Sequence, residues 1–303
     1  MYEAQDVAEG VAEGVADGAT TVVPFGRRVL EAVGPRGPLC AGIDPSAELL
    51  SRWGLPDDAT GLRDFADACV EAFAGEVGVV KAQVAFFERH GAAGMAVFEH
   101  LRTAAADAGL FLIADAKRAD IGNTMEAYAE AWLGPKSPLR ADAVTAVAYL
   151  GLGTLEPFFE LARAHGRGVI VVVRSSNPDG RVIQAARTDG GRGPATEDVL
   201  LAEIARRNGP GGLADASVGA VIGATTDPSE FALSDMGGPI LAPGVGAQGA
   251  TPADVKRRFG ECRPGSVLPS ASRSLLEEGP DVAAMVAATR RLQGELAAAL
   301  PLP

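Results

Sequence analysis

The sequence predicts an α/β fold, a closed (β/α)8 (TIM) barrel, on three observations. Eight short, nearly continuous apolar runs recur along the chain; longer Ala-, Leu- and Glu-rich amphipathic stretches separate them; and polar residues gather where the runs end. A parallel strand covered on both faces reads as an unbroken apolar run rather than an alternating one. The runs fall at residues 39–44, 77–83, 110–117, 143–149, 168–174, 218–224, 240–245 and 266–271, with helical patterns such as 61–74, 92–108 and 197–207 between them. A doubly wound open sheet would also alternate in this way, but eight units filling the chain favour closure. The expected organisation is an acidic, flexible N-terminal tail over residues 1–24 and a single barrel domain over residues 25–303.

The tail expectation rests on charge and glycine. Glu3, Asp6, Glu9, Glu13 and Asp17 precede the first cation, Arg27. The near-repeat VAEGVAEGVADG puts a glycine in every turn, which weakens a helix.

Composition narrows the function. The 303 residues are 47% apolar and 22% charged, as in an ordinary globular protein, and carry a net charge of −12. That charge argues against a nucleic-acid surface, which wants clustered Lys and Arg, but leaves room for a small anionic ligand held by a few placed cations. No apolar run is long enough to span a membrane, and the N-terminus has neither the basic nor the apolar region of a secretory signal. A cytoplasmic location is expected. Cys40, Cys69 and Cys262 lack C-x-x-C spacing and read as small buried hydrophobes. His90, His100 and His165 are scattered, so no metal site is expected.

The ends of the runs carry the chemistry. Run 1 ends in GID (Asp44), run 2 in VVKAQ (Lys81, Gln83), run 3 in IADAKRADIGNT, run 5 in RSSNP, run 7 in PGVGAQG and run 8 in SASRS. Barrel enzymes keep their active sites at the C-terminal ends of their strands. Within run 3, Asp115 and Lys117 lie two apart, so on an extended strand both project to one side, and Asp120 falls in the following turn. A solvated D-K-x-x-D salt-bridge cluster would show the same charges, although here they follow directly on the core residues Ile113 and Ala114. PGVGAQG reads as a phosphate loop after strand 7, with Arg273 following strand 8 as its companion. Residues 187–198, RTDGGRGPATED, are Gly-rich but lack the G-K-[ST] ending of a P-loop and read as a surface insertion. Trp53, Trp132, Phe86 and Phe87 read as packing residues.

The string DAKRADIGNT resembles the D-x-K-x-x-D-I-x-x-T signature of the orotidine 5′-phosphate decarboxylases, in particular their longer bacterial (type 2) branch. GIDPS (42–46), VKAQVAFFERHGAAG (80–94), RSSNPDG (174–180), PGVGAQG (243–249) and Arg273 in SASRSL match further motifs of that branch, in order, from about residue 25 onward. The resemblance implies a barrel of the ribulose-phosphate-binding type that converts OMP to UMP and CO2 without a cofactor or metal. It implies Lys117 as the donor of a proton to C6 of the pyrimidine, and Asp115 as the carboxylate set against the departing one. Lys81 and Asp44 would bind ribose hydroxyls and extend the charge network, and Ser176 would contact the pyrimidine. Pro243 lies in the same substrate-binding set, and Gln248 and Arg273, with backbone N–H groups near Gly246 and Ser272, would hold the 5′-phosphate. Asp120 and Thr124 match residues that the family contributes across a homodimer interface to the partner's site. A lysine held between carboxylates stays protonated despite partial burial. RSS stands where the branch starts its strand-5 motif with TS, which bears on Ser176.

Two other readings compete. The metal-dependent hexulose-phosphate synthases and keto-gulonate-phosphate decarboxylases share the strand-3 segment but tend to carry an acidic metal ligand on strand 2, where this chain has Lys81. A phosphate-binding scaffold without activity would tolerate loss of the Lys–Asp network, whereas every member is present.

Overall fold

Eight apolar runs can bury both of their faces only if the sheet closes and helices wrap it, and the chain does this. A computed structural model describes residues 22–227, 233 and 236–303, so the tail expectation falls almost wholly outside the described residues. The strands are β1 (Cys40–Ile43), β2 (Val79–Gln83), β3 (Phe111–Arg118), β4 (Ala143–Val147), β5 (Gly168–Arg174), β6 (Val218–Ile222), β7 (Ile240–Pro243) and β8 (Val267–Ala271). All pair in parallel in chain order, and β8 closes on β1 through Cys40 opposite Ser270. The expected runs locate every strand; most overrun its end by one or two residues, the usual uncertainty of strand and helix ends.

Alternation along the strands sorts side chains between two cores. Cys40, Val79, Phe111, Ile113, Ala143, Ile170, Val221, Leu241 and Leu268 form an inner cluster. Residues of the opposite parity, such as Ala41, Val80, Leu112, Val169 and Ala242, pack outward among the helices. Trp53 and Trp132 are buried in that outer layer, as is Phe87, while Phe86 is half-buried.

The helix Phe25–Val33 closes the N-terminal end of the barrel. Phe25, Val29 and Val33 are fully buried in the inner cluster, and the Phe25 ring centroid lies 5.8 Å from that of Phe111. Burying each such side chain is worth roughly 1.5–3 kcal/mol. Gly26 is required here, because a Cβ would overlap the Leu213 carbonyl. Sequence reading starts the domain at residue 25 but does not identify this plug.

All three cysteines are buried and free. Burial pushes the Cys40 thiol up to about 12 and Cys262 up to about 11, and raises Cys69 as well, so none is a ready nucleophile. Among the described residues no helix is long and apolar enough to cross a membrane.

Candidate active site

The barrel parity that buries Phe111 and Ile113 inside also carries Asp115 and Lys117 to the C-terminal mouth, where a cavity of about 340 Å³ opens. Register brings their neighbours alongside: Gly42 pairs with Lys81, and Gln83 with Asp115. The result is a chain of alternating charges running from β1 to β3.

Asp115 stands at its centre and is 8% exposed. Its Oδ2 lies 3.2 Å from Lys81 Nζ, and its Oδ1 accepts from Lys117 Nζ at 2.6 Å and from Thr145 Oγ1 at 2.8 Å. Burial pushes this carboxyl's pKa up, but Lys81, Lys117 and the two hydrogen bonds outweigh it and hold the group below the usual range. Lys81 is 6% exposed, with Asp44 Oδ1 3.6 Å away on its other side. Burial alone would lower the Lys81 pKa; the carboxylates of Asp44 and Asp115 reverse that and raise it above its ordinary value. Both ions therefore stay charged at neutral pH, and pairing limits the cost of burying them. Asp44 is fixed by Ser272, whose hydroxyl donates to Oδ2. Gly42 makes that contact possible, since a Cβ there would collide with the Ser272 side chain.

Lys117 departs from the expected geometry in two ways. It is not on a regular strand: the β3–β4 register jumps between Ala114 and Arg118, and Lys117 sits at φ 49°. A non-glycine residue in that left-handed region is strained, by an amount on the order of 1–3 kcal/mol, and such strain collects at functional sites. Its backbone N–H donates to Thr145 Oγ1 at 3.0 Å, and Arg118 anchors the next position by an ion pair with Glu88. Nor is Lys117 the buried lysine of the network. Its side chain is 47% exposed and reaches over the mouth, while Lys81 beneath it is the enclosed one.

Across the cavity lie the loops after β5, β7 and β8. Ser176 donates to Gln248 Oε1 at 2.8 Å, joining the β5 and β7 loops. Pro243 ends β7 and lines the floor, and Gln248 sits in the glycine loop 244–249, where Gly244, Gly246 and Gly249 all take positive φ. Arg273 opens the short helix after β8, exposed at the rim.

Eight of the ten expected site residues thus line one cavity: Asp44, Lys81, Asp115, Lys117, Ser176, Pro243, Gln248 and Arg273. Asp120 and Thr124 do not. Asp120 Oδ1 accepts only from the neighbouring Ile121 N–H among its described contacts, and Thr124 is exposed on the helix Gly122–Leu133. Sequence reasoning missed Thr145 and gave no role to Gln83, Ser175, Asn177, Ser270 or the Ser272 side chain. A lone hydroxyl in the apolar run AVTAV was the available signal for Thr145. The Gly-rich segment 187–198 lines none of this cavity, and its glycine stretch is exposed, as expected of a surface insertion. A buried bidentate pair, Arg174 to Glu197 at 2.6 and 3.0 Å, ties the end of β5 to the helix Thr196–Asn208 that follows the segment.

Such a site offers an enclosed ammonium between two carboxylates beneath a half-exposed lysine, with an apolar floor and a cation at the far rim. It can hold an anionic ligand by its rim and place a protonated amine against a carbon developing negative charge.

The chain is similar to known proteins along most of its length. The family model described as orotidine 5′-phosphate decarboxylase / HUMPS family matches residues 37–288. An orotidine 5′-phosphate decarboxylase of Salinispora arenicola (strain CNS-205) is 50% identical over 276 residues, 91% of this chain and 98% of that one. The Streptomyces coelicolor enzyme of the same name is 48% identical over 279 residues, again 91% and 98%. A crystal structure from Streptomyces avermitilis, provisionally assigned to the same enzyme, superposes with a TM-score of 0.86 at 48% identity, covering 92% of this chain and 96% of that one. The OMP decarboxylase structure of Leishmania donovani gives a TM-score of 0.71 at 26% identity over 91% of this chain and 98% of that one.

Proposed function

The chain belongs to the orotidine 5′-phosphate decarboxylase / HUMPS family and is a carboxy-lyase, and from that premise we propose that its barrel mouth removes CO2 from OMP to give UMP, the closing step of de novo UMP synthesis. The observation that carries this reading is the unbroken series Asp44–Lys81–Asp115–Lys117, charged and largely enclosed at the C-terminal ends of three adjacent strands.

In the proposed reaction the bond from C6 to the carboxylate breaks, CO2 leaves, and the electron pair stays at C6. A vinyl carbanion is a very poor leaving state in water, so the site must hold fixed positive charge where it forms. Lys117 supplies that charge and then passes an Nζ proton to C6. Asp115, already bonded to Lys117, orients the ammonium and faces the departing carboxylate. Lys81 keeps Asp115 ionised and, with Asp44, binds the ribose hydroxyls. Gln248 and Arg273, helped by loop N–H groups near Gly246 and Ser272, hold the 5′-phosphate, and Ser176 addresses the pyrimidine while bonded to Gln248. Binding energy from the remote phosphate is spent at the reacting carbon.

The active unit in this reading is a homodimer, acting in the cytoplasm, with Asp120 and Thr124 completing the partner's site. Both lie outside their own cavity, and the large exposed hydrophobics Ile121, Tyr149 and Leu150 follow β3 and β4 on the same rim, a surface suited to burial against a second copy. Lys81 on strand 2 and the naming of relatives near 50% identity favour this chemistry over the metal-dependent branch of the family. Loss of orotate-ring absorbance when the purified protein meets OMP in excess EDTA tests the reading. Turnover that needs added divalent metal, or none at all, would overturn it.

A further inference from the structure

At the opposite, N-terminal end of the barrel a second cavity, of about 240 Å³, lies between the starts of β3, β4 and β5. Three arginines line it: Arg102 from the helix Gly91–Asp107, Arg140 from the loop before β4, and Arg167 from the turn before β5. Arg28 of the plug helix borders an adjoining cavity, and both cavities share Asp142.

Asp142 is the one carboxylate lining the first cavity, and its oxygens are already engaged. One pairs with Arg28, and the other accepts the Leu112 N–H at 2.9 Å. The remaining cations are left facing each other. Arg167 Nη1 and Arg102 Nε are buried yet have no hydrogen-bond partner. Burial lowers the Arg167 pKa, and the like charges of Arg140, Arg28 and Arg102 lower it further, against the one opposing pull of Asp142. In a chain of net charge −12, concentrating cations with unmet donors is costly unless something anionic meets them. Guanidinium forks suit the tetrahedral oxygens of a phosphate group.

We infer that this arginine cluster is an anion-binding site, separate from the barrel mouth, that takes a multivalent oxyanion of the phosphate class.

The test uses the full chain saturated with UMP, so that the mouth is filled, and titrates pyrophosphate calorimetrically at low salt. One binding event per chain is expected, about tenfold or more weaker in Arg167→Gln and in Arg102→Gln, because each removes charge-assisted bonds to the anion. OMP turnover should be unchanged in both. Each variant relieves repulsion, so its thermal midpoint without anion should not fall below that of the wild type, while the rise in midpoint caused by pyrophosphate should vanish. Absence of binding, or equal affinity in wild type and the Arg102→Gln/Arg167→Gln double variant, overturns the inference.

Discussion

Thr145→Val isolates the hydroxyl that positions both central charges. Thr145 is fully buried, donates to Asp115 Oδ1 at 2.8 Å and accepts the Lys117 N–H at 3.0 Å. Valine keeps the shape, so no cavity opens, but one hydrogen bond to an ionised carboxylate is lost and one strained backbone amide loses its acceptor. A hydrogen bond to a charged group is worth about 1.5–3 kcal/mol. If that positioning is felt in full at the transition state, kcat falls about 10- to 150-fold, since 1.4 kcal/mol is a factor of ten. KM for OMP should change less than about threefold, because the proposed phosphate contacts lie across the cavity on other loops. The assay follows the loss of orotate absorbance at saturating and limiting OMP, with urea unfolding to confirm a native fold. Thr145→Ser keeps the hydroxyl and should recover most of the activity. A Thr145→Val enzyme with kcat within twofold of wild type, or a Thr145→Ser enzyme as slow as Thr145→Val, would refute the positioning role.

Arg273→Ala should raise KM and sharply lower kcat/KM for OMP, yet leave turnover of orotidine, which lacks the phosphate, nearly as poor as in the wild type; a large wild-type advantage on orotidine would assign Arg273 to another group. Mixed and refolded Lys117→Ala and Asp120→Ala chains should regain activity in roughly a quarter of all sites, because random two-fold pairing puts both changes in one site and leaves the other intact. No recovery, with heterodimers verified by native mass spectrometry, would place Asp120 in its own chain's chemistry. The pH dependence of stability should also carry the network's signature. The Asp115 pKa is depressed in the folded state, so its ionisation contributes stability that is present above the unfolded value of 3.8 and lost as pH falls through the lower folded value. The gap in urea midpoint between wild type and Asp115→Asn should be widest above about pH 4 and close on acidification; a gap independent of pH would mean that the charge of Asp115 is not what stabilises it.

Much of this was legible because a barrel ties function to strand ends. Apolar runs located all eight strands, and of the ten site residues expected from the polar run ends, eight gather in one cavity. What was not legible required knowledge of neighbours. Thr145 looks like one polar residue in an apolar run until the β3–β4 register places it beneath Asp115 and Lys117. The jump in that register and the positive φ of Lys117 also escape any argument from strict two-residue alternation. The division of labour between the two lysines was hidden as well, because burial depends on depth along the barrel and not on residue type: Lys81 pairs with Ile113, four residues before Lys117 on the neighbouring strand. The plug helix Phe25–Val33 carries too short an apolar stripe to separate it from a surface helix, and only the inner cluster it completes identifies it.

The Lys117 ammonium, set by Asp115, is the proposed donor of the proton that makes decarboxylation of OMP possible. Single-turnover kinetics of Lys117→Ala with OMP, beside calorimetric binding of UMP to the same protein, tests this most directly. No measurable loss of orotate absorbance is expected from a folded variant that still binds UMP within a few-fold of wild type, because Gln248 and Arg273, the proposed phosphate holders, line the far side of the cavity. A Lys117→Ala enzyme that keeps a tenth or more of the wild-type kcat would contradict it.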